Sequence, residues 1–452
     1  MMIKTGFKNA GLLLVFAASI ALSSLAHAIP DVQHWETRNG ARVMFVPVEG
    51  LPMVDIRIVF DAGSARDAGK GGLSTLTNGL LAEGAGGLSS QQIAEQFESV
   101  GAEFSNAALR DMAYVSVRSL TDKKYLEPAI DTLTTVLTRA DFPADAYARE
   151  LARMKVAAVA RKQSPSDIAD EAFYRALYGD HPYAEPSAGT EASLQQLSPE
   201  DVRGFYQQYY VAKNAVISIV GEVDRAQAEA LTERLVSGLN SGQRAADLPE
   251  VKMLTKAREI RIEYPSRQSH IFVGQPGMKR TDEHYLALYV ANHAFGGSGF
   301  TSRLVDSIRE ERGLAYSVYS YFSPMRELGP FMMGMQTRSD QTAESLKLLR
   351  EELERYLEEG PSTDEIKASI NNITGSFPLN LDSNSKLLDY IAMIGFYDLP
   401  LDYLHNFIQR VEAIDANAAK TAMQQRIQSD RLVTVVVGSD ASHKADSDSA
   451  EQ

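Results

Sequence analysis

The chain has 452 residues, of which 44% are hydrophobic and 23% are charged, and its formal net charge is −14. This length allows two or three domains with large cores, and the acidic balance argues against nucleic-acid binding through a basic face. The chain contains no cysteine, which excludes disulfides and thiolate metal sites.

The N-terminus has the pattern of a secretory signal peptide over residues 1–28. Lys4 and Lys8 supply its charged region, the apolar run at 11–25 is short for a membrane span, and Ala-His-Ala at 26–28 matches a cleavage site. We therefore expect an exported protein, periplasmic where the source has an outer membrane. Without a cysteine after the run, no lipid anchor is expected. An uncleaved N-terminal anchor is the alternative.

Two halves of the mature chain repeat the same signals. Strand-like runs that end at glycine open the halves at 54–63 and 269–277, and β-branched runs that end at glycine close them at 216–221 and 433–438. The opening glycines lie 214 residues apart (277 minus 63) and the closing ones 217 apart (438 minus 221). Two offsets that nearly agree predict a duplicated domain.

Helical patterns follow the strand-like runs within each half. Segments 72–82 and 282–294 come after the opening strands, and longer helix-favouring segments lie at 147–162 and 344–357. We therefore predict an α+β fold in which each half is a mainly antiparallel sheet covered on one side by helices.

The composition also suggests domain boundaries. We predict a first domain at 29–240, a polar linker with scattered Gly and Pro at 241–257, and a second domain at 258–440. The last residues, 441–452, have no apolar side chain larger than alanine, and we expect them to be disordered.

The longest motif lies in the second half, at 296–321, and reads GGSGFTSRLVDSIREERGLAYSVYSY. Its apolar spacing predicts a helix that carries Arg309 in its last turn and ends at Gly313, followed by a strand over 314–321. A helix end and the next strand can aim Arg309 and Tyr316 at one point, where they would donate hydrogen bonds to a polarised peptide carbonyl. The alternative is an ordinary surface arginine and a sheet tyrosine.

This stretch resembles one in the insulinase/pitrilysin family of zinc peptidases (the inverzincins), where Gly-Gly-x-x-Ser-Arg-Leu precedes Arg-x-x-x-Gly-Leu-Ala-Tyr. The resemblance spans residues 35–438, approximately the whole mature chain. It implies that Arg309 and Tyr316 reach into an active cavity, bind substrate and stabilise the transition state. It also implies a clamshell arrangement of the domains.

The first half departs from the family where the metal should bind. Residues 72–79, GLSTLTNG, resemble the family pattern Gly-Leu-Ala-His-Phe-Leu-Glu-His. The two zinc-binding histidines then fall on Thr75 and Gly79, and the glutamate that activates water falls on Asn78. The family's third zinc ligand, a glutamate, falls near Val156, within a stretch that has no acid. We therefore expect no metal in this chain, because these side chains are not zinc ligands.

Family relatives built from two subunits have one chain with the zinc motif and one without it. The resemblance therefore implies a non-catalytic subunit of an exported heteromeric zinc metallopeptidase, inactive alone and without a stable membrane anchor. Zinc would reside in a homologous partner that bears the motif, and peptides would be the substrate. Two alternatives stay open: a zinc-free peptide-binding or scaffold protein of the same fold, and a self-contained hydrolase with an unrecognised site.

Overall fold

The computed structural model describes residues 31–439. The predicted signal peptide, residues 1–28, and the predicted disordered tail, residues 441–452, lie outside the described residues. Within the described part, no helix combines the length and the apolar character needed to cross a bilayer.

The first domain is built on a six-stranded, mainly antiparallel sheet. Its strands are β1 (Gln33–Glu36), β2 (Arg42–Pro47), β3 (Met53–Phe60), β6 (Glu103–Ala108), β7 (Ala113–Leu120) and β8 (Ala215–Gly221). They pair in the order β1-β2-β8-β3-β7-β6, with a parallel pairing between β2 and β8. A separate two-stranded hairpin consists of β4 (Gly84–Ala85) and β5 (Leu88–Ser89).

Eight α-helices accompany this sheet in the described chain. Several of them begin at a residue whose side chain caps the first turn. Ser89, Ser198 and Asp224 each accept a hydrogen bond from a backbone N–H in the following turn, which fixes where a helix begins. The helices are α1 (Leu73–Leu80), α2 (Ser90–Glu98), α3 (Lys123–Thr138), α4 (Ala144–Arg161), α5 (Pro165–Tyr178), α6 (Glu191–Leu194), α7 (Pro199–Tyr209) and α8 (Arg225–Val236).

The second domain contains a five-stranded sheet. Its strands are β9 (Arg258–Glu263), β10 (Gln268–Pro276), β11 (Ala315–Phe322), β12 (Pro330–Arg338) and β13 (Val433–Gly438). Its α-helices are α9 (Tyr285–Asn292), α10 (Thr342–Glu359), α11 (Thr363–Ser376), α12 (Asn384–Phe396), α13 (Tyr403–Glu412) and α14 (Ala416–Arg426). Two π-helical segments, His293–Gly297 and Val305–Glu310, precede β11.

The two sheets share one topology, as a duplicated domain requires. The second sheet runs β9-β13-β10-β12-β11, which repeats the order β2-β8-β3-β7-β6 of the first, and each closing strand pairs in parallel with the first strand of its repeat. The prediction of two α+β domains in tandem, of the kind found in clamshell peptidases, is therefore confirmed.

Helices cover both faces of the central strands, whereas the sequence predicted helices on one side. All seven residues of β8 and all six of β13 are buried. The second cover comes from the other domain. Helix α5 packs on β10 and β13, where the rings of Phe173 and Phe272 meet edge-on with centroids 6.1 Å apart. Conversely, helix α12 of the second domain packs on β2, β3 and β8 of the first. The approach is close at Gly395, where a Cβ would come within 2.6 Å of Val216 Cγ1.

A buried carboxylate joins the domains near these exchanged helices. Asp111 accepts hydrogen bonds from the hydroxyls of Tyr183 (2.5 Å) and Tyr397 (2.9 Å) and from the backbone N–H of Arg326 (2.7 Å). Tyr183 belongs to the first domain, whereas Tyr397 and Arg326 belong to the second. Burial raises the pKa of Asp111, against the hydrogen bonds that favour its charged form.

The connection between the domains is also held in place. Residues 237–257 contain no helix or strand. Arg66 Nη1 donates to the carbonyl of Ala246 at 2.6 Å, and Asn214 Oδ1 accepts from the N–H of Ala245 at 3.0 Å. The connecting segment is thus hydrogen-bonded to the first domain at Ala245 and Ala246.

Candidate functional site

The first part of the candidate site is helix α1, where the peptidase motif would lie. Thr75 donates its hydroxyl hydrogen bond to the carbonyl of Ser187 at 2.8 Å. Asn78, 1% exposed, donates from Nδ2 to the carbonyl of Tyr114 at 3.2 Å and to the hydroxyl of Tyr210 at 3.1 Å. A Cβ on Gly79 would meet nothing within 4 Å, so this position has room for a side chain that the sequence does not supply.

The surroundings of Asn78 form a neutral hydrogen-bonded network. Asn106 Nδ2 donates to the backbone carbonyl of Asn78 at 2.7 Å, and burial raises the pKa of Tyr210, which keeps its hydroxyl protonated. Zinc does not fit these residues, because the hydroxyl of Thr75, the amide of Asn78 and a glycine stand at the motif positions in place of the nitrogen and carboxylate groups. Across residues 31–439, no group of three or more His, Asp or Glu side chains is placed to hold a metal ion.

The predicted position of the third zinc ligand lies on the outer side of α4. Val156 is 70% exposed, and Val159, one turn further on, is also exposed. This helix therefore presents apolar side chains to solvent where a zinc peptidase would present a carboxylate. From the sequence we predicted that no acid lies at this position, but nothing in the sequence indicated that this face of α4 is exposed to solvent.

A buried acid fixes the start of α1. The carboxylate of Asp67 accepts the backbone N–H groups of Gly72 and Ser74, each at 2.8 Å. Burial raises the pKa of Asp67 to about 7, although both of these bonds favour the charged form. The buried carboxylate thus anchors the helix N-terminus, although the helix carries no zinc ligands.

The second part of the site lies at the edge of the second sheet. Tyr316 is 77% exposed on β11, at a bulge: Ala315 pairs with Thr337 and Ser317 pairs with Gln336, so Tyr316 has no partner across the ladder. Bulges reorient side chains at the edges of sheets. The spacing of the motif contains no signal for this bulge, because it depends on the register with β12.

Arg309 reaches solvent from the π-helical segment Val305–Glu310. Its guanidinium carbon lies 5.1 Å from the ring centroid of Phe300, which is 73% exposed, and its Nε lies 3.7 Å from Glu310 Oε1. This ion pair is too long for a hydrogen bond. Among the described residues neither the side chain of Arg309 nor that of Tyr316 has a hydrogen-bond partner, so their side-chain donors are free for a ligand.

Buried apolar side chains hold this segment in place. Leu304 and Ile308 are completely buried, and a Cβ on Gly296 would come within 2.8 Å of Leu304 Cδ1, so only glycine permits this close approach. Gly313 ends the segment with φ +62°, and its N–H donates to the carbonyl of Arg309 at 3.0 Å. Gly313 therefore caps the helix end, as predicted; the π-helical segment itself ends at Glu310, and its turns are wider than those of an α-helix.

The structure keeps the two parts of the site in separate domains. Thr75, Asn78 and Gly79 lie on α1 of the first domain, whereas Arg309 and Tyr316 flank the edge strand of the second. Within residues 31–439 no hydrogen bond or ion pair links the two groups.

Comparison with known proteins identifies the family. Residues 46–191 match the model of the insulinase family, peptidase family M16, and residues 196–373 match the peptidase M16 inactive domain. A solved peptidase M16 inactive domain from Pseudomonas fluorescens is 37% identical, with a TM-score of 0.88 over 90% of this chain and 98% of that chain. The chain belongs to peptidase family M16.

Other M16 relatives carry names of both kinds, active and inactive. An uncharacterized zinc protease of Streptomyces coelicolor is 29% identical over 376 residues, 81% of each chain. The non-peptidase homolog YmxG of Helicobacter pylori is 24% identical over 406 residues, 88% of this chain and 92% of the relative. The fold is also shared by the periplasmic protease PqqL of Escherichia coli (19% identity, TM-score 0.76), with 90% of this chain and 45% of PqqL covered.

Proposed function

We propose that this M16 chain is a non-catalytic subunit of an exported heteromeric zinc peptidase. It supplies Arg309 and Tyr316, and half of the cavity wall, to a homologous partner that carries zinc and cleaves peptides. The observation that carries the proposal is an asymmetry between the domains. The first has Thr75, Asn78 and Gly79 at the motif positions, whereas the second keeps the arginine and tyrosine with unoccupied donors.

The exposure of this pair supports a role in trans. Tyr316 is 77% exposed at a bulge on an edge strand, where packing within the chain gains little from a tyrosine. Hydrogen-bond donors aimed at the oxygen that becomes charged during peptide hydrolysis stabilise the transition state, and loss of one typically lowers the rate about a hundred- to a thousandfold.

We further propose export to the periplasm through the signal peptide at 1–28, and zinc bound in the partner.

Reconstitution tests this proposal. The mature chain, alone and with a zinc-motif homologue from the same source, is assayed for bound zinc and for cleavage of a peptide library. We expect activity in the complex, a hundredfold or greater loss in kcat with Arg309→Ala or Tyr316→Phe, and no change with the control Arg338→Ala, another exposed arginine. The proposal would be contradicted by a partner that is fully active alone and whose activity in the complex does not change with Arg309→Ala.

One observation favours a second function, that of a zinc-free peptide-binding or scaffold protein. Val156 and Val159 expose an apolar face on α4, where an active family member has a zinc ligand. Peptide affinity in the single chain, weakened at least fivefold by Val156→Asp and without turnover in any complex, would favour this function. Stoichiometric zinc and chelator-sensitive cleavage by the single chain would instead indicate a self-contained hydrolase.

A further inference from the structure

A cavity of about 330 Å³ opens in the second domain between α9 and the end of β11. Its lining includes Arg280, Tyr285, Tyr289, His293 and Phe322. The rings of Tyr285 and Tyr289 are parallel to within 4°, with centroids 6.2 Å apart. The volume is at the lower end of the range for ligand pockets, so it suits one aromatic residue better than a large cofactor.

Arg280 is the charged group of this cavity. Its Nη1 donates to the hydroxyl of Tyr285 at 3.0 Å, while its buried Nε has no hydrogen-bond partner. The cations near it have acid partners: Lys279 Nζ lies 2.8 Å from Glu327 Oε2, and Arg426 pairs with Asp282. In the described chain Arg280 has no such acid. A guanidinium with unused donors in a partly buried aromatic site is suited to a carboxylate ligand.

A second polar group in the lining is also incompletely paired. His293 Nε2 lies 3.2 Å from Asn372 Oδ1, whereas its buried Nδ1 has no partner. Burial lowers the pKa of His293, so Arg280 supplies the positive charge of the lining at neutral pH. The cavity thus combines one cation, one unpaired imidazole nitrogen and apolar ring faces.

The position of the cavity corresponds to the duplication at the level of helices. Helix α9 follows β10 in the second domain as α1 follows β3 in the first. Asn292, the last residue of α9, donates from Nδ2 to the carbonyl of Ser320 on β11 at 3.0 Å, as Asn78 of α1 donates to a strand of its own sheet. The cavity therefore lies beside the helix of the second domain that corresponds to α1.

We propose that this cavity binds the carboxylate of an aromatic acid, such as the C-terminal residue of a peptide, through the guanidinium of Arg280. The aromatic body of the ligand lies against Tyr289 and Phe322. This site needs neither zinc nor a second subunit, and it is independent of the role of Arg309 and Tyr316.

Calorimetric titration of the mature chain with N-acetyl-phenylalanine, and with its neutral amide, tests this site. We expect the acid to bind at least tenfold more tightly than the amide, because a charged hydrogen bond in a partly buried site contributes about that factor. The peptide Ala-Ala-Ala-Phe, with a free or amidated C-terminus, shows whether a peptide end enters as well as a free aromatic acid.

Variants locate the binding. Arg280→Gln should remove the preference for the acid, and Tyr289→Trp, which fills the cavity without removing the charge, should weaken acid binding at least tenfold. Arg338→Gln, an exposed arginine paired with Asp340, should leave it unchanged. Equal affinity for acid and amide, no binding of either, or acid binding that survives both cavity variants would overturn the proposal.

Discussion

The side-chain amide of Asn78 donates a hydrogen bond to the hydroxyl of Tyr210 across 3.1 Å, at the position where an active relative would have its catalytic glutamate. The same amide also bonds the carbonyl of Tyr114. Both partners accept from Asn78. A carboxylate at this position could accept from the Tyr210 hydroxyl but would face the carbonyl oxygen of Tyr114 without a donor, so the present hydrogen bonds favour the amide over a carboxylate.

Restoring the glutamate should destabilise the protein. We expect Asn78→Glu to lower the free energy of unfolding by about 3 kcal/mol at pH 8, because it buries a charge that has no cationic partner and faces the carbonyl of Tyr114. Burial should raise the pKa of the new carboxyl, so stability should fall as pH rises from 5 to 8. Urea unfolding at both pH values measures the effect. The neutral control Asn78→Gln should lack this pH dependence, and a glutamate variant without it would contradict the prediction.

The exposed pair should contribute little to stability. We expect Arg309→Ala and Tyr316→Phe to change the free energy of unfolding by less than about 0.5 kcal/mol, since neither side chain has a hydrogen-bond partner in the described chain. Urea denaturation of the isolated subunit measures this. A loss of more than about 2 kcal/mol in either variant would show that the pair holds the fold together.

The bond between Tyr397 and Asp111 should stabilise the joint between the domains. Removal of a hydrogen bond to a buried carboxylate typically costs about 1.5–3 kcal/mol, and we expect this loss for Tyr397→Phe in urea unfolding. The matched control is Tyr319→Phe, which removes a half-exposed hydroxyl on β11. Equal losses in the two variants would mean that the buried bond contributes nothing specific.

Asp67 should make stability depend on pH. Its pKa is about 7 in the folded chain and about 3.9 in an unfolded one. The folded state therefore holds the proton more tightly, so this contribution is complete below about pH 4 and is lost as pH rises to 7. We expect the stability of the native protein relative to Asp67→Asn to fall by up to about 4 kcal/mol between pH 4 and pH 8.

Urea unfolding across this pH range provides the measurement. Asp145→Asn is the matched control, because Asp145 is an exposed acid in the first turn of α4. A difference between native protein and Asp67→Asn that stays constant with pH would refute the assignment.

Local patterns were sufficient to predict the domain pair. Strands β3, β8, β10 and β13 have regular β-branched or apolar runs with a glycine at or shortly after their ends, and their repeated spacing indicated the duplication. The assignment of Thr75, Asn78 and Gly79 to the motif positions stays a prediction that rests on residue type, because ligand chemistry is a property of residue type. Gly313 caps its helix as expected.

Long-range contacts were out of reach of the sequence. Helix α5 shows the apolar spacing of any covered helix, and nothing in that spacing says that its partner is β13 of the other domain. The bulge at Tyr316 depends on how β11 aligns with β12. That Arg280 has no acidic partner in the described chain could be found only from the structure, in which Lys279 and Arg426 each pair with an acid.

The exchange of α5 and α12 limits how this protein can move. In each domain, one face of the sheet is covered by a helix of the other domain. A rotation between the domains would therefore expose apolar side chains of both sheets to solvent, and it would break the hydrogen bonds to Asp111. Within residues 31–439, a hinge motion between the domains would therefore cost this packing and these hydrogen bonds. If the protein forms half of a chamber that encloses peptides, that chamber would have to open and close at the interface with the partner subunit.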